Sequence, residues 1–318
     1  MIFLSKTKMK ILFVNHQKSQ CGIYEIGKRI FELFDKNLLN VTYVECPSKE
    51  EYIQSIEQNK PDMVLYNYFC VTLPYINKEF LSNFKKIKHI GIIHDPLTPT
   101  DLAFYDHTFD AWIIHDDTNP NISSKKFTTI RPIRRYENIN VNKNNILNIG
   151  SHGFTVSPWK MFETIIDIAH QEFDEVNINM NLTKATFGGK DDTAIFNSWK
   201  NKITKSKVNL NITNHYFETE IEVIDFLSKN DLNVYFYNPP HMYVGVGGSA
   251  DLAISSQRSL VVNSTYMYRH LHKHLGYYEQ NNSLIPFLNN QEKVKMVYNE
   301  WNPIKMTLDY KNMIERII

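Results

Sequence analysis

Short apolar runs alternate with longer amphipathic stretches from residue 10 onward, and that alternation carries most of the structural information in this chain. Lys10–His16 (KILFVNH) is a β-branched and aromatic run, which predicts a first strand. Ile23–Phe34 places Ile23, Ile26, Ile30, Leu33 and Phe34 near one helical face. Val41–Pro47 reads as a strand, and Ser48–Asn59 as a helix opened by a capping box of Ser48 and Glu51. Met63–Tyr68 is a strand, Asn77–Ile87 a helix, and His89–Asp95, Ala111–Asp116 and Phe127–Ile133 are further strands. Strands alternating with helices over short connections predict a parallel sheet with right-handed crossovers, a Rossmann-like domain spanning 1–134.

The pattern lapses over Arg131–Asn145, which is basic, then asparagine-rich and without apolar period, so 135–145 is read as an interdomain linker. Alternation restarts with a strand at Ile146–Gly153 and a helix at Pro158–Phe173, proline in its first turn. Four further runs follow before the stretch Pro239–Met267: VNINMNLT and VNLNITNH as strands, DDTAIFNSWKNKI and TEIEVIDFLSKN as helices. Gln291–Ile318 is helical and interrupted near Pro303. The prediction is an α/β protein of two Rossmann-like parallel-sheet domains facing across a cleft. The second domain spans 146–300, and a terminal helix (301–318) returns to the first.

Within the second half, Leu232–Asn238 leads through two prolines to a glycine-rich turn, a short helix from Ala250 to Ser256 with Asp251 in its first turn, and the strand SLVVN. Strand, glycine turn and helix in that order present backbone N–H groups to an anion, with Ser249 as expected N-cap. The turn Gly245, Gly247, Gly248 and Ser249 is therefore a candidate phosphate cradle; the alternative is that the glycines only clear a neighbouring element. A ligand-bound turn of this kind expects a positive φ at Gly247 or Gly248.

Length and composition narrow the class. At 318 residues, 42% hydrophobic and 22% charged, the chain is a globular protein of about two domains. Its formal net charge of +1 supplies no general attraction to nucleic acid or an anionic membrane. The three cysteines, Cys21, Cys46 and Cys70, lack metal-ligand spacing, and their odd number fits a reducing cytoplasm. No stretch reads as a transmembrane helix.

Two domains of this kind, a linker and a trailing helix resemble the GT-B-fold glycosyltransferases, nearest in pattern to the retaining members. Four segments carry the resemblance: KILFVNHQKSQCGIYEIGKRIFELF, GIIHDP (Gly91–Pro96), NIGSHGFTVSPWK (Asn148–Lys160) and the glycine-rich stretch. It implies transfer of a hexosyl or pentosyl group from a UDP- or GDP-linked sugar to a hydroxyl, without a metal and with no cofactor beyond that donor. The sequence departs from the retaining pattern in two places. Ser151, His152 and Gly153 stand where those members carry an arginine, and Tyr243 and Asp251 stand near their two glutamates.

On that resemblance His94 and Asp95 are the catalytic candidates, at the carboxyl end of a strand where open α/β sheets bind ligands. His94 would bond a sugar hydroxyl or steady charge on the leaving phosphate, and Asp95 would act as base; the plain alternative for Asp95 is a turn before Pro96. Lys160 is assigned to the donor phosphates, Tyr243, Asp251, Gly150, Ser151 and Arg269 to nucleotide or sugar, and His16, Cys21 and Gly22 to the acceptor loop. His115 and Asp116 end the next strand and read equally well as wall or turn. Arg131, Arg134 and Arg135 lie at the expected hinge. His270 and His274 have i, i+4 spacing but no evident third ligand, so zinc is not expected. A sugar-nucleotide epimerase of the same architecture and a non-catalytic nucleotide- or glycan-binding module remain alternatives. The acceptor class stays open between glycan, lipid-linked sugar, protein and a hydroxylated base in DNA.

Overall fold

The structure, a computed structural model, describes residues 9–17, 21–94, 99–118, 123–138, 145–154, 159–183, 193–238 and 245–318. Asp95, Tyr243, Pro158 and the middle of the expected linker fall outside the described residues. The chain divides into two compact units, 1–132 with 302–318, and 133–301.

Unit 1 is a six-stranded sheet, every pairing parallel. Its strands are β1 (Ile11–Asn15), β2 (Val41–Glu45), β3 (Met63–Tyr68), β4 (Lys88–Ile93), β5 (Ala111–Ile114) and β6 (Lys126–Thr128), in the order β2-β1-β3-β4-β5-β6. The order reverses between β1 and β3, and in open α/β sheets such a reversal is where ligands bind, outside the carboxyl ends of the strands. Helices α1 (Gly22–Leu33) and α2 (Lys49–Asn59) connect the first three strands. The Ser48 hydroxyl caps α2 by accepting from the Glu51 N–H at 3.3 Å. The helix expected over 77–87 is shorter: α3 covers only Lys78–Leu81, and a 3₁₀ turn, Ser82–Phe84, follows. Helix α4 (Pro99–Thr108) was not apparent in the pattern, because its apolar residues lie on no single face.

Unit 2 begins with β7 (Leu147–Phe154), α5 (Phe162–Glu172), β8 (Val176–Thr183), α6 (Thr193–Lys202), β9 (Val208–Thr213) and α7 (Glu220–Ser228). The chain then crosses back through β10 (Leu232–Tyr235), α8 (Ser249–Ser255) and β11 (Ser259–Val262), and ends the unit with α9 (Arg269–Leu275) and α10 (Gln291–Glu300). Its parallel order, β11-β10-β7-β8-β9, reverses between β7 and β10. Ile149, Ile178, Met180, Leu182 and Val234 pack with Phe162, Ile165 and Ile166 of α5 to form the core.

The last helix, α11 (Pro303–Ile317), belongs to unit 1. Asn302 caps it by accepting from the Lys305 N–H at 2.8 Å, and Pro303 occupies its first turn, where a missing N–H costs nothing. Its Thr307 hydroxyl accepts from the Asp35 N–H at 3.1 Å, and Tyr310 packs edge-on against Phe34 at 4.9 Å. The apolar lapse at Arg131–Asn145 does not make all of that stretch free of structure. Tyr136 is buried in unit 2, Arg134 pairs with Glu220 at 2.8 Å, and Arg135 lies over the Tyr298 ring at 4.2 Å.

Candidate functional site

At the strand ends of unit 1, three polar side chains meet at the order reversal. Asn15 closes β1 and Asn67 is the penultimate residue of β3; both are fully buried. Asn67 Nδ2 donates to Asn15 Oδ1 at 2.7 Å and to the Ile23 carbonyl at 2.8 Å, and its Oδ1 lies 2.5 Å from His94 Nε2. Asn15 Nδ2 donates to the Tyr24 carbonyl and to the Tyr43 hydroxyl. Gly27 of α1 admits the Asn67 amide: a Cβ there would overlap it. Burial first, then the charges of Arg131 and His16, hold the His94 imidazole down at about 3, so the ring is neutral at physiological pH.

The neighbouring strand end is structural. His115 is buried, with Nδ1 2.7 Å from the Ile130 carbonyl and Nε2 2.9 Å from the Tyr310 hydroxyl, while Arg131 donates to the His115 carbonyl. Asp116 forms an Asx turn, accepting from the Thr118 N–H at 3.0 Å and the Thr118 hydroxyl at 2.6 Å, so the turn reading holds there. His16 is buried and edge-on to Tyr24 at 5.7 Å. Cys21 is the N-cap residue of α1 without a side-chain cap, and a Cβ at Gly22 would meet nothing within 4 Å.

In unit 2 the reversal point gathers Ser151, His152 and Gly153 of β7 with Tyr235 of β10 and the lysine that follows the next loop. Lys160 forms an isolated antiparallel bridge with Tyr237, ahead of α5, which starts only at Phe162. The lysine is therefore outside the helix, contrary to the expected helix start at Pro158. Its ammonium lies over Gly153, whose φ is +154°; a Cβ there would stand 2.5 Å from Nζ. The rings of Phe154 and Phe162 flank it at 5.7 and 6.0 Å. Among the described residues no acceptor or carboxylate reaches Nζ, and desolvation lowers the amine to about 8. Ser151 is fully buried, and its hydroxyl has no hydrogen-bond partner among the described residues. On the other face of the strand the His152 Nδ1 meets the Tyr235 hydroxyl at 2.5 Å, and Gly150 leaves room for the Asn230 amide.

The glycine turn differs from its expectation in three respects. Gly248, not Ser249, is the N-cap residue, with φ −77° and no side-chain cap, and Ser249 is the first residue of α8. Gly247 is not among the residues of positive φ. What requires glycine at 247 is proximity: a Cβ would lie 2.8 Å from the Tyr268 ring, and the Gly247 N–H donates to the Met267 carbonyl. Tyr268 is hydrogen-bonded with Ser249, and its phenol is raised chiefly by burial. Asp251 is fully buried in α8. Arg269 stacks on Tyr266 at 4.0 Å and donates to the Tyr266 carbonyl. His270 and His274 flank Trp301, and no group of metal-binding residues occurs among the described residues.

Pattern reading missed Asn15, Asn67, Tyr235 and Tyr268. The two asparagines had a readable signal, since a polar residue late in an otherwise apolar strand needs an internal partner. The tyrosines had none: their apolar neighbours made them look like core.

No family model matches the chain, and no curated protein matches it by sequence. Its fold, in contrast, matches solved structures over nearly its full length. HepE from Anabaena, solved with UDP-glucose, is 13% identical with a TM-score of 0.62, the match covering 97% of this chain and 99% of that one. An α-glucosyltransferase solved with UDP is 14% identical with a TM-score of 0.62, over 97% and 99%. The lipopolysaccharide outer core galactosyltransferase WaaB is 10% identical with a TM-score of 0.62, over 98% and 100%. Two parallel sheets built this way, with those neighbours, give the chain the fold of the GT-B glycosyltransferases.

Proposed function

We propose that this protein is a glycosyltransferase that moves a sugar from a UDP-sugar to a hydroxyl acceptor. The observation that carries the reading is the Lys160 ammonium, at the order reversal of the unit 2 sheet and without a counter-ion among the described residues. A desolvated cation held over a glycine strand end fits an anion, and the diphosphate of a nucleotide sugar is the anion that suits this fold. The structural neighbours solved with UDP or UDP-glucose support UDP as the carrier. Ser151 supplies a second hydrogen-bonding group on the same strand face as Gly153.

In the proposed step the bond between the anomeric carbon and the diphosphate oxygen breaks and a bond to the acceptor oxygen forms. The acceptor proton passes to a base, for which Asp95 is the candidate, and UDP leaves with its charge opposed by Lys160. His94, neutral and with a depressed pKa, is a poor proton acceptor, and its role is to accept a hydrogen bond from a substrate hydroxyl. No metal is invoked. None of the three cysteines forms a disulfide, which fits a reducing compartment, and no described helix is long and apolar enough to cross a membrane.

Calorimetric titration of the intact chain with UDP, UDP-glucose and GDP tests the reading. Binding of UDP or UDP-glucose, weakened by Lys160→Ala, is expected, together with UDP release when hydroxyl acceptors are added. Failure of all three nucleotides to bind would remove the donor site and the proposal with it.

A further inference from the structure

Hydrogen-bond polarity at the unit 1 strand ends can be read without seeing a proton, because main-chain groups fix it. A backbone carbonyl only accepts and a backbone N–H only donates. Asn67 has one side-chain nitrogen facing the Ile23 carbonyl at 2.8 Å, so that atom is the amide nitrogen and the opposite atom is Oδ1. Asn15 is pinned twice. Its nitrogen faces the Tyr24 carbonyl at 3.1 Å, and its oxygen accepts from the His16 N–H at 2.9 Å. Neither amide can be turned over without setting acceptor against acceptor or donor against donor. The contact between Asn67 Nδ2 and Asn15 Oδ1, 2.7 Å, agrees with both assignments. Beyond Asn15 the sense continues: Asn15 Nδ2 donates to the Tyr43 oxygen, and the Tyr43 hydroxyl therefore donates to Glu45 Oε1 at 3.2 Å.

Only an oxygen is then left facing His94, 2.5 Å from Nε2. We propose that Asn67 is a positioning residue that locks His94 in the Nε2–H tautomer, so that Nδ1 carries the lone pair and the ring can only accept from a substrate hydroxyl. Gly27 is part of the device, because any Cβ at that position would displace the Asn67 amide. The opposite tautomer is set one strand further along. His115 Nδ1 faces the Ile130 carbonyl and must bear its proton, leaving Nε2 to accept from Tyr310. Two histidines at neighbouring strand ends are thus held in opposite tautomers, one spent on internal bonds and one with a nitrogen in reserve. The catalytic consequence rests on the glycosyltransferase reading above; the tautomer itself does not.

Ring ¹⁵N spectroscopy of the full-length protein, with His94 assigned by loss of its signals in His94→Gln, reads the tautomer directly. The expected result is a neutral Nε2–H ring at pH 6 in the wild type. Asn67→Leu, close in shape but without the amide, is expected to release the lock and give a mixed or Nδ1–H ring. In turnover, Asn67→Leu is expected to lower kcat on the order of tenfold, as for one lost transition-state hydrogen bond, with the donor KM little changed. A wild-type ring that is Nδ1–H or cationic at pH 6 would overturn the proposal even if Asn67→Leu failed to fold. An unchanged tautomer in folded Asn67→Leu would overturn the part given to Asn67. If the wild type transferred no sugar while the Nε2–H ring was found, the glycosyltransferase reading would fail and the tautomer lock would stand.

Discussion

The strand ends of the two units handle buried polarity in opposite ways. In unit 1 the Asn15, Asn67, His94 and His115 side chains are tied to one another or to main-chain atoms. In unit 2, Lys160 Nζ and Ser151 Oγ have no hydrogen-bond partner among the described residues. Bonds of that kind are formed before any ligand arrives and need no rearrangement during a reaction. Groups left unpaired carry a desolvation cost that a ligand relieves, which is how binding free energy comes to depend on a few atoms. Under the proposed function, the contrast gives unit 1 the preorganised geometry and unit 2 the capture of the donor.

The strongest way to break this comparison is Gly27→Ala. A methyl group forced against the Asn67 amide is expected to destabilise unit 1 by about 3 kcal/mol, combining overpacking with lost internal bonds. Urea unfolding measures it, and an unchanged midpoint would show that the network is loose. Lys160→Ala sharpens the other side. UDP affinity should fall roughly thirtyfold, about 2 kcal/mol for one charge-assisted bond, with stability held or slightly raised because an unpaired cation is removed. Calorimetry and a melting curve together separate those effects.

Proton linkage predicts a somewhat smaller change. The free Lys160 amine titrates at about 8, and a bound diphosphate favours the charged form, so the pKa is higher in the complex. Affinity is then greatest below pH 8 and declines as pH rises through it, on the order of tenfold between pH 7 and pH 9. A flat profile over that range in the wild type would mean that Lys160 does not face the phosphates. The smallest effect is expected from Tyr310→Phe, which leaves the His115 Nε2 acceptor unpaired and costs about 1 kcal/mol of stability.

Gly247 shows how a glycine can carry a packing duty that its local pattern does not announce. Its glycine suggested a backbone open to phosphate, and the structure gives it a steric duty against the Tyr268 ring as well. Gly247→Val would thus disturb the packing of Tyr268 and cannot serve as a clean probe of donor binding, whereas Lys160→Ala can.

Much of the fold was legible because strands of a parallel sheet are short apolar runs and their crossover helices are amphipathic. KILFVNH, MVLYNY and VNINMNLT announced β1, β3 and β8 by composition alone, and Pro303 announced the break between α10 and α11. Helix α4 escaped because its residues share no apolar face, and α5 began later than Pro158 suggested because Lys160 is held in a bridge to Tyr237. His94 was legible as a strand-end histidine and Lys160 as a cation after the first strand of unit 2. What no local pattern could supply was their surroundings. The state of His94 depends on Asn67, 27 residues earlier, and through it on Asn15, a further 52 residues back, since only strand order makes β1, β3 and β4 neighbours. Sequence alone determined where most strands, the amphipathic helices and the break at Pro303 would fall, because those follow from local periodicity and proline chemistry. Tertiary structure alone decided which polar atoms are paired within the chain and which are not, because pairing is a matter of distances between residues far apart in the chain.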